Sequence, residues 1–321
     1  MNTKIILVVV GEPNSTFSEI LFKFFSSKKF KKIKKKIVLI GCKSLLTKQM
    51  KKLKYKLYFN EISDIKFSKK NKINIINIDY KFKKIFNKIS DKSNRYIKNC
   101  FETGFNIIKK NKSIGFLNGP VSKKHFLKKN FPGITEYIAA KTNSKNEVML
   151  IYNEKLSVSP ITTHIPIKSV NYNINKKKII NNITKINNFF KLKLKKKPRF
   201  AVLGLNPHCE TIDKISEEDI KIIPAINYLK NKKLNVDGPF SADTFFSDKN
   251  IKKYNVVVGM YHDQVLIPMK TLFKFNAINL TIGLPFIRVT PDHGPNHEML
   301  GKNKSNPSSM FYAIKFFNKI L

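Results

Sequence analysis

The chain opens with Lys4-Ile-Ile-Leu-Val-Val-Val10, passes through a segment of helical periodicity from Phe17 to Phe25, and returns to a second β-branched run, Lys36-Ile-Val-Leu-Ile-Gly-Cys42. Short β-branched runs of this kind are typical of buried strands, and apolar residues that recur every three to four positions are typical of a helix. Strand, helix and strand in succession form the repeating unit of a parallel sheet. This stretch therefore predicts an α/β fold.

The same alternation continues along the chain. Further strands are predicted at Ile73 to Ile78, Ser113 to Leu117, Val148 to Tyr152, Phe200 to Leu205 and Val256 to Met260, and further helices at Arg95 to Lys109, Lys177 to Phe190 and Glu218 to Leu229. With 321 residues, 42% of them hydrophobic, the chain can bury the core of one large domain or of two lobes. No repeat or linker marks a boundary, so any division into lobes must come from the fold.

The charge is strongly positive, with 62 Lys and Arg against 21 Asp and Glu and a net charge of +41. Such an excess indicates a nucleic-acid or anionic-membrane partner when it is concentrated in one region. Here the lysines are spread through the whole chain, which favours a solvated surface. We therefore expect no nucleic-acid partner, and keep a basic nucleic-acid-binding protein as the non-enzymatic alternative.

The cysteines and the hydropathy pattern bear on location. Cys42, Cys100 and Cys209 are too few and too scattered for a disulfide framework or a paired-cysteine metal site. The apolar run from Lys4 to Val10 is too short to span a bilayer, and no later segment reaches the roughly 18 apolar residues that a membrane helix needs. We expect a cytoplasmic protein with reduced thiols and no membrane partner.

Three of the six histidines are each expected at or just beyond the end of a strand: His164 in Thr162-Thr-His-Ile-Pro166, His208 in Leu205-Asn-Pro-His-Cys-Glu210, and His262 in Gly259-Met-Tyr-His-Asp-Gln264. Ligands of open parallel sheets collect beyond the carboxyl ends of the strands, so these imidazoles are predicted to converge. Three neutral imidazoles suit Zn²⁺ or a similar divalent ion. A histidine taken alone is more often a structural residue than a ligand, but three in the same strand-end context favour the metal site. Asp263 is a candidate carboxylate to orient His262, with an ordinary exposed aspartate as the alternative.

Three other polar residues lie in apolar or turn-rich sequence, namely Lys270, Asn279 and Arg288. A buried cation needs an anionic partner because its desolvation is costly, and a substrate phosphate or carboxylate would supply one. The planar guanidinium of Arg288 is especially suited to that role, with an internal salt bridge as the alternative. No Gly-x-Gly occurs, so the glycine-rich dinucleotide fingerprint is absent.

Several blocks of the chain, taken in order, resemble the 4-hydroxythreonine-4-phosphate dehydrogenase family of pyridoxal-phosphate biosynthesis. The strongest are Gly204-Leu-Asn-Pro-His208, Gly238-Pro-Phe-Ser-Ala-Asp-Thr244, Met260-Tyr-His-Asp-Gln264 with Ile267-Pro-Met-Lys270, and Gly283-Leu-Pro-Phe-Ile-Arg288 followed by Asp292-His-Gly294; weaker ones are Gly11-Glu-Pro13, Gly119-Pro-Val-Ser-Lys123 and Phe131-Pro-Gly-Ile-Thr-Glu136.

The resemblance implies a two-lobed isocitrate/isopropylmalate dehydrogenase-like fold with a cleft between the lobes, so that residues 1–321 form a single catalytic unit. It implies NAD or NADP bound without the Rossmann glycines, and a homodimer whose subunits share each site. It also implies that His164, His208 and His262 bind one divalent metal (Zn, Mg or Co), and that Thr135, Lys270, Asn279 and Arg288 bind the substrate. In this family Asp243 is our candidate for proton transfer, with a structural hydrogen-bonding role as the alternative.

The chain departs from the family pattern at several positions. Ile134 replaces a substrate-contacting histidine of the usual Gly-His-Thr-Glu motif. Cys209-Glu210 follows Asn206-Pro-His208 without the usual glycines, and Pro295 stands where a threonine often follows Asp-His-Gly. These changes bear on the substrate more than on the reaction. The implied reaction is oxidation of 4-(phosphooxy)-L-threonine to a 3-oxo acid that decarboxylates to 3-amino-2-oxopropyl phosphate. The alternative is a dehydrogenase of the same fold acting on another hydroxy acid or on a dihydrodiol.

Overall fold

The computed structural model describes residues 4–111, 114–128, 130–210, 215–274, 276–291 and 294–321. Within them run twelve strands: β1 (Ile5–Val9), β2 (Lys36–Gly41), β3 (Phe59–Glu61), β4 (Ile73–Asn77), β5 (Gly115–Asn118), β6 (Val148–Tyr152), β7 (Ser157–Pro160), β8 (Phe200–Leu203), β9 (Val236–Phe240), β10 (Val256–Gly259), β11 (Ile278–Ile282) and β12 (Ile287–Pro291). Ser113, in one predicted strand, and Asp292 and His293, in the last family motif, lie outside the described residues.

The same residues form twelve α-helices: α1 (Phe17–Phe25), α2 (Lys28–Lys31), α3 (Lys43–Lys52), α4 (Asn94–Lys110), α5 (Ile134–Lys141), α6 (Val170–Asn173), α7 (Lys176–Phe189), α8 (Ile223–Asn231), α9 (Ala242–Phe245), α10 (Asp248–Lys253), α11 (His262–Phe273) and α12 (Ser308–Ile320). Short π-helical turns cover Lys123–Leu127, Phe190–Leu194 and Glu218–Ile222. No helix of the described ranges is both long and apolar enough to cross a membrane.

The predicted α/β class is confirmed, and the predicted strands and helices correspond to observed ones. Five strands were not predicted from the sequence: β3, β7, β9, β11 and β12. Two of these contain residues that usually interrupt strands, since β7 reads Ser-Val-Ser-Pro and β9 reads Val-Asp-Gly-Pro-Phe. Burial inside a sheet outweighs these weak local preferences, because Ser157 and Ser159 of β7 are almost fully buried.

The chain divides into two compact units, of which the first contains Met1–Lys145 and Leu284–Leu321. Its strands lie in the order β3-β4-β2-β1-β5-β12, and every pair is parallel. The core is aromatic and aliphatic, with α4 residues such as Phe101 and Phe105 packed with Val9 of β1 and Phe116 of β5. This packing explains why β-branched runs alternate with amphipathic helices in the sequence.

The second unit contains Asn146–Gly283. Its strands lie in the order β11-β6-β7-β10-β8-β9; β6 is antiparallel to both neighbours, and β7, β10, β8 and β9 are mutually parallel. The core includes Val158, Leu203 and Val257 from the strands, with Val265 and Met269 of α11 packed on them. Three neighbouring parallel strands, β7, β10 and β8, therefore end at one edge of this unit.

Candidate active site

The ends of β7, β10 and β8 are joined by hydrogen bonds that involve side chains as well as backbone. The Thr162 hydroxyl donates to the carbonyl of Met260 at 2.7 Å. The amide group of Gln264 spans the next gap, because its oxygen accepts from Met260 N at 2.6 Å and its nitrogen donates to Gly204 O at 2.7 Å. These contacts tie together the segments that follow all three strands.

Each of the three predicted imidazoles follows one of these strand ends. His164 comes four residues after Pro160 of β7 and His262 three after Gly259 of β10, while His208 comes five after Leu203 of β8. Pro160 and Gly259 are register partners. His164 and His262 are brought together, with ring centroids 5.8 Å apart. Two rings that share one ion through nitrogens at about 2.1 Å would have centroids roughly 5 Å apart, so this pair is close to a ligating arrangement.

His262 is oriented by the neighbouring carboxylate. Its Nδ1 lies 2.7 Å from Asp263 Oδ1, as the sequence suggested. With the proton on Nδ1, the ring donates to Asp263 and Nε2 keeps its lone pair for a ligand. The donor chemistry therefore fits a divalent ion. The described residues nevertheless contain no group of three His, Cys, Asp or Glu side chains close enough to hold one, so His208 is not brought into a complete set.

A cavity of about 600 Å³ lies beside two of the histidines. It is lined by the residues that precede His208, Asn206 and Pro207, and by Tyr261 and Asp263, which flank His262; Asp243 also lines it. The Ser241 hydroxyl donates to Asp243 Oδ1 at 2.5 Å, and this bond is the main cause that holds the pKa of Asp243 below its usual value, with His208 adding a smaller electrostatic effect. Asp243 is thus a carboxylate at neutral pH.

Arg288 and Thr135, both in the first unit, contact each other. Arg288 is 1% exposed, and its Nη1 donates to the Thr135 hydroxyl at 2.8 Å. Its Nε donates to Asn118 Oδ1 at 3.0 Å, and the Asn118 amide nitrogen donates to Gly119 O, which turns its oxygen toward the guanidinium. Burial lowers the pKa of Arg288 to about 9, an effect that the negative charge of Glu136 opposes. A buried guanidinium of this kind suits an anionic ligand.

The remaining predicted binding residues differ in their surroundings. Lys270 lies on α11 but is exposed, so the expectation that it is a buried cation is wrong. The reason is helical phase, because Val265, Leu266 and Met269 face the core and Lys270 does not. Asn279 is half-buried on β11. Ile134, at the first position of α5, packs against the aromatic core of the first unit.

Three residues that contact the site were not identified from the sequence. Asn118 orients Arg288, Gln264 joins two strand ends, and Glu218 accepts hydrogen bonds from the backbone of the loop before His208. For Asn118 a signal existed, because it is a polar residue at the end of an apolar strand and just before Gly119-Pro120. Glu218 gave no signal, since a glutamate at the start of a predicted helix is ordinary.

The chain matches a family model described as pyridoxal phosphate biosynthetic protein PdxA over residues 32–317. It is 36% identical over 315 residues to a 4-hydroxythreonine-4-phosphate dehydrogenase from Sulfurihydrogenibium sp. (strain YO3AOP1), covering 96% of this chain and 95% of the relative. It is also 37% identical over 186 residues to a D-threonate 4-phosphate dehydrogenase from Pectobacterium atrosepticum, covering 58% of this chain and 57% of the relative.

Solved structures agree with these sequence matches. A 4-hydroxythreonine-4-phosphate dehydrogenase from Klebsiella pneumoniae superposes with a TM-score of 0.85 at 27% identity, covering 99% of each chain. An isocitrate dehydrogenase from Methylococcus capsulatus superposes with a TM-score of 0.51 at 10% identity, covering 98% of this chain and 84% of the other. The second likeness concerns the fold alone, and it confirms the predicted fold class.

Proposed function

The chain belongs to the pyridoxal phosphate biosynthetic protein PdxA family, and on that premise we propose that it oxidises 4-(phosphooxy)-L-threonine at its secondary hydroxyl with NAD or NADP. Relatives in this family are named 4-hydroxythreonine-4-phosphate dehydrogenases, so the chain is an oxidoreductase. The immediate product is a 3-oxo acid, which loses CO₂ to give 3-amino-2-oxopropyl phosphate.

One observation carries this proposal: His164, His208 and His262 follow the carboxyl ends of three adjacent parallel strands. In the proposed enzyme these imidazoles hold one divalent ion (Zn, Mg or Co), and the Asp263 contact keeps His262 in a ligating tautomer. When bound, the ion supplies a Lewis acid for the oxidation and for the loss of CO₂, and the nicotinamide accepts the hydride.

The other residues bind the substrate or move a proton. Arg288 and Thr135 are proposed to bind an anionic group of the substrate together, since their side chains already contact each other. Lys270 and Asn279 complete the set of substrate-binding residues. Asp243 is proposed to accept the hydroxyl proton, because its lowered pKa keeps it ionised at neutral pH.

A second candidate substrate has a specific observation in its favour. One relative is named for D-threonate 4-phosphate, which lacks the amino group of 4-(phosphooxy)-threonine. Ile134 also places an apolar side chain next to Thr135, where the family usually has a histidine. We therefore keep a phosphorylated hydroxy acid without an amino group as the alternative substrate.

The test is a substrate panel assayed for reduction of NAD and of NADP, with and without a metal chelator. We expect turnover of 4-(phosphooxy)-L-threonine with release of CO₂, loss of turnover in chelator, and recovery when Zn²⁺, Mg²⁺ or Co²⁺ is added back. Preferential turnover of the threonate phosphate would favour the alternative. Turnover of neither substrate, or full activity in chelator, would refute the proposal.

We further propose that the enzyme is a cytoplasmic homodimer whose subunits share each metal site. Two inactive variants that each lack a different histidine can test this. If the two histidines reach one site from different subunits, a hybrid dimer of the two variants has one intact site. After unfolding and refolding as a mixture, they should recover roughly a quarter of wild-type activity, because half of the dimers are hybrids with one intact site. A fully active monomer in size-exclusion chromatography would contradict the dimer.

A further inference from the structure

A buried carboxylate contacts the loop that carries His208. Glu218 is 1% exposed and begins the π-helical turn Glu218–Ile222. Its Oε1 accepts from the backbone nitrogens of Leu205 at 2.6 Å and Asn206 at 2.9 Å, and its Oε2 accepts from Asn206 Nδ2 at 2.8 Å. Both oxygens are thus engaged with the segment immediately before Pro207 and His208.

The backbone at Gly204 leaves room for this approach. A Cβ atom at position 204 would lie 3.0 Å from Glu218 Oε1 and 2.7 Å from Cys209 Sγ. A side chain at position 204 would therefore crowd both the Cys209 thiol and the Glu218 carboxylate. The glycine of the Gly204-Leu-Asn-Pro-His208 motif thus gives both groups room beside the backbone.

The loop itself adopts a backbone conformation that needs support. His208 and Cys209 have φ values of 55° and 62°, in the left-handed region that residues other than glycine rarely occupy. Two such residues in succession persist only when neighbouring contacts hold them. Here Cys209 N donates to Asn206 O at 3.1 Å, and Glu218 in turn holds Asn206.

A buried carboxylate is a costly way to hold a loop unless it is strongly hydrogen-bonded. Hydrogen bonds from backbone amides to a carboxylate are stronger than those to a neutral acceptor, and two consecutive amides fix the chain direction as well as its distance. We propose that Glu218 is a positioning residue for His208, holding the loop so that the imidazole is presented to the metal. This inference rests on the proposed function, because it takes His208 as a ligand.

The test compares metal affinity in the absence of substrate. Glu218→Gln keeps the side-chain shape but sets one amide NH₂ group against the donor Nδ2 of Asn206. Zn²⁺ and Co²⁺ affinities are measured by competition with a coloured chelator, and the Co²⁺ absorption spectrum reports the ligand geometry. We expect the affinity to fall roughly ten- to hundredfold, as is usual when the partner of a ligand is removed, and the Co²⁺ spectrum to change.

Asp219→Asn is the matched control. Asp219 belongs to the same turn but is exposed, and its carboxylate accepts from Ser216 N and Oγ rather than from the histidine loop. It should lower thermal stability slightly and leave metal affinity unchanged. Wild-type affinity in Glu218→Gln would overturn the proposal, and so would an equal loss in both variants, since that would indicate general weakening of the turn.

Two further measurements keep the inference separate from the proposed function. If Glu218→Gln does not fold, Asn206→Ala is the second variant. It removes the contact with Glu218 Oε2 and a contact of the same Nδ2 with Glu217 Oε2 at 2.8 Å, and it keeps both backbone contacts with Glu218 Oε1. It should give an intermediate loss of affinity, and unchanged affinity there would also overturn the proposal. A wild-type protein that binds neither ion would refute the metal site itself, and this inference with it. Tight wild-type binding that is lost in His208→Ala but kept in Glu218→Gln would refute only the role of Glu218.

Discussion

The proposed anion-binding residues of the first unit and the histidines of the second unit are held in different ways. Arg288 is 1% exposed and is fixed by Asn118 and Thr135, whereas the side chain of His262 is 32% exposed and His208 lies on an exposed loop. A buried cation takes its position when the core forms, because its donors must be paired there. Exposed imidazoles depend instead on the loops that carry them. Substitutions should therefore affect activity and stability together in the first unit, and activity alone in the second.

The largest effect on activity is expected for His208→Ala. Loss of this proposed metal ligand should lower kcat by roughly a thousandfold or more and prevent metal retention. The free energy of unfolding should change by about 1 kcal/mol or less, since the side chain is exposed. Activity, bound metal and thermal unfolding are measured on the same preparation.

His297→Ala is the control for this variant. His297 is also exposed, but it follows no strand of the second unit, and its removal should leave activity and metal content unchanged. A His208→Ala enzyme that keeps its metal and full activity would contradict the proposed role of His208 as a metal ligand.

The next largest effect is expected for Arg288→Lys. A lysine ammonium cannot reproduce the planar fork that contacts Asn118 and Thr135 at once. We expect kcat/KM to fall about a hundredfold, which corresponds to ~3 kcal/mol, and the thermal midpoint to fall as well. Arg95→Lys, the same change at an exposed position of α4, should alter neither. Normal stability in Arg288→Lys would contradict the difference drawn between the two units.

Thr135→Val removes one hydroxyl from the Arg288 contact while keeping the side-chain shape. Arg288 Nη1 then loses an acceptor in a mostly buried setting, which costs about 1 to 2 kcal/mol. We expect KM for the phosphorylated substrate to rise about tenfold with kcat little changed. Thr135→Ser keeps the hydroxyl and should restore most of the affinity; equal defects in both variants would show that the methyl group, not the hydrogen bond, matters.

The same difference explains how much could be predicted from sequence. Buried strands such as β1 and β10 are uniform apolar runs, so their positions could be predicted closely. Strand β7, which precedes His164, has two buried serines whose hydroxyls donate to the carbonyls of Asn153 and Met149, and its Ser-Val-Ser-Pro sequence does not reveal a strand. Packing in the fold likewise decides which strands lie beside β10, namely β7 and β8. His208 and His262 follow strands that were predicted from the sequence, whereas the strand before His164 is seen only in the fold. Asn118, Gln264 and Glu218 likewise act through contacts that exist only in the fold.

The smallest effect is expected for Ser241→Ala, and it depends on pH. The Ser241 hydroxyl is the main cause of the lowered pKa of Asp243. A lowered pKa means that the carboxylate persists to more acidic pH, so a base role for Asp243 is lost only when the pH falls below that value. Without the hydroxyl, the pKa returns toward its usual range and the acid limb of the kcat profile moves upward.

The direction of this shift separates the two roles of Asp243. At pH 8 the carboxylate is ionised with or without Ser241, so a proton acceptor should lose almost no activity there and should lose activity only at acidic pH, near or below about 4. A purely structural Asp243 would instead give a uniform loss at all pH values or none. The kcat profile of Ser241→Ala, compared with that of Asp243→Asn, therefore decides whether this exposed residue belongs with the histidines as part of the chemistry or only supports the start of α9.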